Sequence, residues 1–387
     1  MIAIGAAGRV VLAFKTYGVP YDIDSAQAVR SALVDSPLHV YSAVNGDPLN
    51  HWPYPPGFFP LLAACGGLAD LTGLAFHGWI QVPSIAADVA IAWLVQDHLG
   101  RRGAGERVRL AAAALVALGP SFWMISGYHG QIDSLAILPA VLALWLWERS
   151  PPGARRAVWA GLLIGVGTSI KSVPALMLVA LLPSVRTRRE AAALILPAVA
   201  LPLLAYVPFL LADAHGTVHT LRTHRFLPGF GGISLLAQPE LADSWLQHGG
   251  HRLSGVSRFL LDHEVPILAL LMAPFALVVL IRRVPPTLAA AVLWSALVVC
   301  NPGFEFEFVV WALPFLLMAG WVWQTAVVQA VLLPPAAMLY WHPFGHAPTP
   351  LYAAIMIAAW CAAAAVVVYM GARLARRARP LARPGYM

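Results

Sequence analysis

The sequence predicts an all-α polytopic membrane protein, and three observations carry this prediction. Hydrophobic residues make up 59% of the 387-residue chain and charged residues only 11%, whereas soluble domains carry about 25% charged residues. Long apolar runs recur along the whole chain, and they lack the period-2 alternation of half-buried strands. Because the hydrocarbon core offers backbone groups no water, such runs must form helices.

Short polar stretches separate the apolar segments. The segments lie at residues 1–14, 57–76, 79–98, 108–126, 133–147, 157–170, 172–185, 191–212, 264–281, 286–300, 306–324, 326–340 and 350–372. Arginine clusters follow or separate them at residues 101–109, 148–156, 186–190, 282–286 and 373–387. The positive-inside rule places such clusters in the cytoplasm. The formal net charge of +7 therefore reflects membrane topology and gives no reason to expect a nucleic-acid partner.

Counting crossings between these clusters leaves the stretch after residue 53 outside the membrane core. An even number of crossings must separate successive cytoplasmic clusters. This count fails only in the N-terminal part, if every apolar segment there crosses the membrane. Pro55 and Pro56 remove helix hydrogen bonds at the start of the stretch, and Asp70 interrupts it. We therefore expect residues 54–73 to form an amphipathic or re-entrant helix on the outer face, with about twelve crossings elsewhere and both termini cytoplasmic.

Three short segments complete the predicted topology. Segments 157–170 and 172–185 are each shorter than a span of about 20 residues. A single tilted helix over both would break the count, so we expect two short helices that meet near Lys171 and Pro174. Segment 1–14 lacks the basic start of a secretory signal and is expected to be a short first span.

One domain is expected over residues 1–372, followed by a basic cytoplasmic tail at 373–387. The predicted outer segments 15–78 and 213–262 are long and rich in polar groups, whereas the predicted cytoplasmic loops are short and merely basic. The sequence therefore places the chemistry of this protein at the outer face.

Two acids follow the first apolar segment. Asp22 or Asp24, at a membrane–water boundary, can serve as a general base. The alternative is that both are solvated loop acids, with Asp24 or Ser25 capping a helix over residues 25–34.

The turn at residues 126–135, SGYHGQIDSL, joins two apolar helices. Its side chains His129, Gln131 and Asp133 exceed what a tight turn requires, and polar clusters at a membrane edge are functional candidates by default. A simple N-cap at Asp133 is the alternative interpretation.

Cationic residues are candidates for binding a phosphate. Lys171 interrupts two apolar helices and either snorkels to the interface or binds a phosphate there. Arg222, His224 and Arg225 lie close together in the predicted outer loop, and arginine forks suit phosphate oxygens. An ordinary positive surface patch is the alternative for this group.

Glu305 and Glu307 lie at the predicted outer mouth of a span, either as loop acids or as ligands of a sugar hydroxyl. The sequence contains no HExxH, P-loop or dinucleotide fingerprint, and its three cysteines are widely spaced. Nothing in it predicts a metal ion or a cofactor.

The order of these features is distinctive. An early aspartate follows the first helix, YPP stands at 54–56, HGQ-D-S at 129–134, a lysine separates two short helices, and an acidic-aromatic stretch runs from Glu307 through Trp311 to Phe315. This order resembles the GT-C superfamily of integral-membrane glycosyltransferases, especially the mannosyl- and glucosyltransferase branches with their bacterial relatives. Each motif is short, so the resemblance depends on their order along most of the chain.

The resemblance implies a bundle of about twelve transmembrane helices, with YPP in a juxtamembrane helix of the first outer loop. It implies transfer of a hexose, with mannose favoured, from a polyprenyl-phosphate donor to a glycan or glycolipid acceptor of the cell envelope. The bacterial plasma membrane is the implied location, with the active site on the outer face. By the resemblance Asp22 is favoured over Asp24 as the catalytic base, because YDI is nearer to the family pattern.

The remaining candidates are then expected to bind substrate. His129, Gln131 and Asp133 are expected to orient the sugar or the acceptor. Arg222, Arg225 and Lys171 are expected to stabilise the leaving phosphate. Tyr54, His224, Glu305 and Glu307 complete the expected binding residues. A secondary transporter or lipid flippase is the rival function, which Lys171 alone favours, since the chain shows no obvious internal repeat. A catalytically inactive membrane partner is a third possibility.

Overall fold

The computed structural model describes residues 1–45, 52–223, 230–242, 252–341 and 349–377. Across these ranges the regular secondary structure is helical, and they contain no strand. The all-α prediction is therefore confirmed for the part of the chain that the structure describes.

The N-terminal part begins with a sharp elbow between two helices. The helices here are α1 (Ile2–Lys15), α2 (Pro20–Asp35), α3 (Val40–Asn45), α4 (Phe59–Thr72), α5 (Phe76–Arg101) and α6 (Glu106–Ala117). A bend of 79° separates α1 from α2, because Gly18 turns the chain at φ 91° and Pro20 occupies the first helical position of α2. A start at Pro20 corrects the expected helix over 25–34, so Asp22 and Asp24 lie inside α2 and neither Asp24 nor Ser25 caps it.

The middle of the chain breaks at Lys171, as predicted. Its helices are α7 (Pro120–Met124), α8 (Asp133–Arg149), α9 (Ala154–Ile170), α10 (Met177–Leu181) and α11 (Arg188–Ala212). The backbone of Lys171 is extended (φ −150°), and short helical turns follow over residues 173–184. Asp133 is the first residue inside α8, after the N-cap Ile132, and its side chain caps nothing. The expected N-cap at Asp133 is therefore wrong, because this carboxylate pairs with a lysine instead.

The C-terminal part ends in a helix that is longer than expected. Its helices are α12 (Ala214–Thr223), α13 (Gly232–Ala237), α14 (Gly255–Asp262), α15 (Glu264–Ile281), α16 (Pro286–Cys300), α17 (Phe308–Met318), α18 (Val322–Tyr340) and α19 (Thr349–Arg377). Because α19 continues past residue 372, the predicted tail at 373–387 begins as helix.

Six helical segments of the described chain are long and apolar enough to cross a membrane. They are residues 76–101, 106–129, 188–212, 264–281, 322–340 and 350–373. The bent α1–α2 pair would make a seventh, and residues 173–184, α16 and α17 are shorter apolar helices. These lengths and compositions are those of a multi-pass membrane protein. The count of about twelve crossings stays a prediction.

The stretch that was expected to lie on the membrane surface forms α4, preceded by a 3₁₀ turn at residues 56–58. The helix has 14 residues, well short of a span of about 20 residues, and Gly73 in the left-handed conformation ends it. Its short length agrees with the expectation for residues 54–73, and its position on the outer face stays a prediction.

Helix α8 connects the two ends of the bundle and packs against α5, α9 and α17. It begins at Asp133, and its last turn carries Glu148, which accepts a hydrogen bond from the Thr287 amide of α16 and lies 3.5 Å from Arg102. At 1.5 Å per residue, Asp133 and Glu148 lie about 22 Å apart along the helix. We call these the Asp133 end and the Glu148 end of the bundle.

Two buried ion pairs join neighbouring helices. Arg9 of α1 donates to Asp88 of α5 over 2.6 Å with both side chains fully buried, and Arg156 of α9 donates to Glu190 of α11 over 2.6 Å. Removing one partner of a buried ion pair costs about 3–5 kcal/mol. These pairs therefore fix how α1 and α11 pack on the bundle.

Candidate active site

Asp22 lies at the Asp133 end, where the turn between α7 and α8 holds its carboxylate. Gln131 Nε2 donates to Oδ1 over 2.6 Å, and His129 Nε2 lies 2.7 Å from Oδ2. The Asp22 side chain keeps 20% of its surface exposed. The two hydrogen bonds therefore orient its carboxylate, and part of the side chain remains accessible.

A close backbone contact brings α2 against this turn. The Val19 amide donates to the His129 carbonyl over 3.1 Å. A Cβ on Gly18 would lie 2.7 Å from the Tyr128 carbonyl oxygen, closer than Cβ atoms approach in real structures. Gly130, at φ 96°, ends the turn in the left-handed conformation. Glycine at both positions thus lets the two segments touch and sets the distance from Asp22 to His129.

His129 links Asp22 to Tyr340, the last residue of α18. The Tyr340 hydroxyl lies 2.7 Å from His129 Nδ1, on the opposite side of the ring from Asp22. If the hydroxyl donates to Nδ1, a neutral imidazole carries its one proton on Nε2 and donates it to Asp22. The chain Tyr340–His129–Asp22 then orients the ring and stabilises the carboxylate.

Lys171 and Asp133 form a buried ion pair next to this chain. Lys171 Nζ donates to Asp133 Oδ1 over 2.6 Å, and the indole N–H of Trp311 donates to the same oxygen. Burial alone would lower the pKa of Lys171, but the Asp133 carboxylate and the other neighbouring groups together outweigh it, so the net pKa lies above its usual value. Lys171 is therefore charged at neutral pH.

Aromatic rings enclose the ammonium of Lys171. Its Nζ lies 4.8 Å from the centroid of the Tyr54 ring and 5.3 Å from that of Trp311, within the range of cation–π attraction. The Tyr54 hydroxyl is 3.4 Å from Gln131 Oε1. Burial raises the pKa of Tyr54, although Lys171 opposes the shift. Tyr54 thus stays protonated and joins the lysine pair to the side chains around Asp22.

Glu307 is the buried acid of the site. It is 2% exposed at the start of α17, and its side chain is hydrogen-bonded to Glu305. Burial, with the nearby Glu305 carboxylate, raises the pKa of Glu307 well above its usual value. The two carboxyl groups share a hydrogen bond, and their remaining oxygens can accept hydrogen bonds from hydroxyl groups.

Asp24 lies apart from these residues. It is exposed on α2 and accepts a hydrogen bond from the Tyr17 hydroxyl. The structure thus separates the two acids that the sequence left as alternatives: Asp22 contacts the turn side chains His129 and Gln131, and Asp24 contacts the elbow.

The structure describes only part of the basic group in the loop 213–262, which is predicted to be the second outer loop. Arg222 is exposed near the end of α12, and α12 is joined to α3 by a hydrogen bond of 3.1 Å between Asn45 and Thr220. His224 and Arg225 lie outside the described residues. Their expected role at a phosphate therefore stays a prediction.

Sequence reasoning missed Tyr340. It reads as the end of the apolar segment 326–340, and a tyrosine at a membrane interface is common enough to carry no signal. Arg9 and Asp88 were also missed, although a charged residue inside an apolar run is a usable signal. Trp311 was noticed only as part of a motif, without its hydrogen bond to Asp133.

Within the described ranges, no group of three or more His, Cys, Asp or Glu side chains is arranged to hold a metal ion. The site combines instead a partly exposed carboxylate, a buried ion pair and a buried acid. Such a set can abstract a proton and bind hydroxyl or phosphate oxygens.

The fold and the site define an integral membrane protein with a polar cluster built for proton and hydroxyl chemistry at one end of its helices. Residues 52–302, well over half of the chain, match the family described as glycosyltransferase family 87. The chain belongs to this family and is a membrane glycosyltransferase, as the resemblance to GT-C enzymes implied. The match covers His129, Gln131 and Lys171, whereas Asp22 and Glu307 lie outside it. A comparison with curated proteins found no match.

Proposed function

We propose that this glycosyltransferase moves a hexose, with mannose favoured, from a polyprenyl-phosphate donor to a lipid-linked or cell-envelope acceptor at the outer face. The observation that supports it most is the Asp22 carboxylate, which His129 and Gln131 orient while part of the side chain remains accessible. Membership of family 87 supplies the class of reaction. The donor, the sugar and the acceptor are proposed on the GT-C resemblance.

The proposed reaction is a direct displacement with inversion. The acceptor O–H gives its proton to Asp22 as its oxygen bonds to the anomeric carbon. The bond between that carbon and the phosphate oxygen breaks at the same time, and polyprenyl phosphate leaves with the electron pair. Hydrogen bonds from His129 and Gln131 hold the carboxylate in position, so that the acceptor oxygen arrives in line.

Lys171 and the arginines of the second outer loop are proposed to stabilise the charge on the leaving phosphate. Lys171 has three N–H donors, of which one binds Asp133, and the ammonium lies between the rings of Tyr54 and Trp311. Fixed positive charge is most effective where negative charge develops during the reaction. Arg222 and Arg225 are proposed for the same role, with His224 beside them.

Glu305 and Glu307 are proposed to bind sugar hydroxyls. Their carboxyl oxygens accept hydrogen bonds from the sugar hydroxyls. The buried position of Glu307 keeps water away from these hydrogen bonds and favours recognition of one arrangement of hydroxyls.

The two acids of α2 provide a matched test. Asp22→Asn removes the proposed base at nearly constant shape, and we expect transfer from a polyprenyl-phosphate hexose to an acceptor lipid in membranes to fall about 10²–10⁴-fold. Asp24→Asn, exposed and bonded to Tyr17, should stay within a few-fold of wild type. Full activity of Asp22→Asn would refute the base assignment, and larger loss in Asp24→Asn would transfer it to that residue.

The transporter alternative is less well supported. Transporters of the repeated-halves type place ionisable groups near the middle of the membrane, whereas Asp22, His129 and Lys171 lie at one end of the bundle. Absence of sugar transfer by the wild-type protein with every polyprenyl-phosphate donor, together with lipid movement across vesicles, would favour the alternative.

A further inference from the structure

A cavity at the Glu148 end lies far from the cluster around Asp22. Its volume is about 330 Å³, within the range of small-molecule sites, roughly 300–1,000 Å³. Its lining comes from the end of α5, the start of α16, the turn between α17 and α18, and α19. Among the lining residues are Arg102, Leu288, Ala319, Gln324, Met370 and Arg373. The proposed transfer reaction uses none of them.

The charged residues in this lining are both arginines. The Arg102 side chain is 46% exposed, and the guanidinium of the exposed Arg373 lies 5.1 Å from the centroid of the Tyr369 ring. The nearest carboxylate, Glu148, is 3.5 Å from Arg102 and also binds the Thr287 amide and hydroxyl and lies 3.8 Å from His98. Its negative charge is therefore shared among several donors, and the cavity keeps a net positive character.

The start of α18 adds backbone donors to the same cavity. This helix begins at Val322, and its N-cap Trp321 makes no side-chain cap hydrogen bond. The first N–H groups of a helix have no partner within it, and they favour an anion there. Gln324 contributes a side-chain amide to the lining. The lining therefore carries donor groups from the end of α5, from α18 and from α19.

Tryptophans mark the membrane boundary at this end. Trp323 at the start of α18 is 74% exposed, Trp159 near the start of α9 is 52% exposed, and Trp93 in the second half of α5 is 53% exposed. Exposed tryptophans concentrate at the level of lipid headgroups. The loops 101–109 and 282–286 beside the cavity are among those predicted to be cytoplasmic. On the predicted topology, the cavity is expected at the level of phospholipid phosphates.

We propose that this cavity binds the phosphate of an anionic phospholipid of the leaflet at the Glu148 end. The two guanidinium groups and the start of α18 hold the phosphate, and Leu288 and Met370 contact its glycerol and upper acyl carbons. A zwitterionic lipid fits less well, because the lining offers no carboxylate for an ammonium group. Since the lining joins four elements, a bound lipid also stabilises their packing.

The test measures lipid binding to the purified full-length chain in detergent by native mass spectrometry, with phosphatidylglycerol and phosphatidylcholine as probes. The wild-type protein should bind phosphatidylglycerol in preference to phosphatidylcholine. Arg102→Gln with Arg373→Gln should weaken phosphatidylglycerol binding about tenfold or more, since each substitution removes charged hydrogen bonds to the phosphate. Arg189→Gln, an exposed arginine at the start of α11 outside the cavity, is the matched control and should bind as wild type does.

Two further variants keep the test decisive. Ala319→Phe fills the cavity without changing its charge and should also lose the lipid. Arg373→Gln alone alters one exposed side chain, and its lipid binding is measured if the double variant unfolds. Equal phosphatidylglycerol binding by wild type and the arginine variants would refute the site, as would equal binding of phosphatidylcholine. Displacement of the lipid by millimolar inorganic phosphate would assign the cavity to free phosphate instead.

Discussion

Lys171 shows how one residue connects the chemistry of the site to the stability of the fold. Its ammonium is buried, pairs with Asp133 and lies between two aromatic rings. The extended backbone at this position ends α9, so the side chain starts from a break in the helix. The same residue therefore fixes the local chain path and places a positive charge near Asp22.

Replacing this lysine should expose the cost of an unpaired buried carboxylate. Lys171→Met leaves Asp133 buried beside Trp311, and we expect a loss of about 3–5 kcal/mol in the free energy of unfolding. The measurement is thermal or denaturant unfolding of the purified protein in detergent. The ion pair between Arg30 and Asp70, whose side chains are 26% and 70% exposed, is the control: Arg30→Met should cost about 0–1 kcal/mol.

A second variant separates charge from packing at Lys171. Asp133→Asn combined with Lys171→Met removes both charges, and it should recover a large part of the stability because no buried charge is left unpaired. Equal losses in Lys171→Met and Arg30→Met would show that the lysine pair is solvated, contrary to its burial.

At the scale of elements, the elbow between α1 and α2 determines where Asp22 lies. Gly18 provides a left-handed turn that allows close contact with the Tyr128 carbonyl, and Pro20 then fixes the start of α2. Asp22 follows two residues later, in the first turn. The position of the proposed base is therefore set by backbone conformation as much as by its side-chain partners.

Gly18→Ala should separate Asp22 from His129. The added Cβ would lie 2.7 Å from the Tyr128 carbonyl oxygen, so the elbow must move away from the turn. A misplacement of about 1 Å can lower an enzymatic rate about 10²-fold, and we expect a loss of sugar transfer of this order. The measurement is the initial rate of transfer in membranes, normalised to folded protein.

Gly73→Ala is the matched control for backbone strain. Gly73 also has a positive φ, of 67°, but a Cβ there would meet nothing within 4 Å. It should lose about 1–2 kcal/mol of stability and keep its transfer rate. Comparable rate losses in the two variants would contradict the contact between the elbow and the turn as the cause.

How far the sequence predicts these elements depends on the range of the interactions. The break at Lys171 follows from a lysine and a proline inside an apolar run, and the structure contains it. The start of α2 was misplaced, because aspartates are good caps but Pro20 at the first helical position overrode them. The link from Tyr340 to His129 joins residues far apart in the chain, and no local pattern encodes it.

At the scale of the whole molecule, the two ends of α8 lie in regions with different sets of side chains. The Asp133 end collects Asp22, Lys171 and Glu307, and the Glu148 end collects arginines, tryptophans and the cavity. Several helices run between the two ends, among them α5, which has 26 residues and extends about 39 Å. The first part of α5 lies at the Asp133 end, since the Ser84 hydroxyl in its third turn donates to the Gln131 carbonyl.

Labelling on either side of α5 tests the predicted orientation of the whole molecule. In a variant without the native cysteines, Leu74→Cys lies in the exposed turn before α5, and Gly105→Cys lies in the turn after it, where a Cβ meets nothing within 4 Å. If the Asp133 end faces outward, a membrane-impermeant maleimide labels Leu74→Cys in intact cells and Gly105→Cys only after permeabilisation. The physical reason is that the arginines of the loop 101–109 retain it in the cytoplasm. The reverse labelling pattern would place Asp22 on the cytoplasmic side and would refute a reaction at the outer face. Labelling of both positions in intact cells would show that α5 does not cross the membrane.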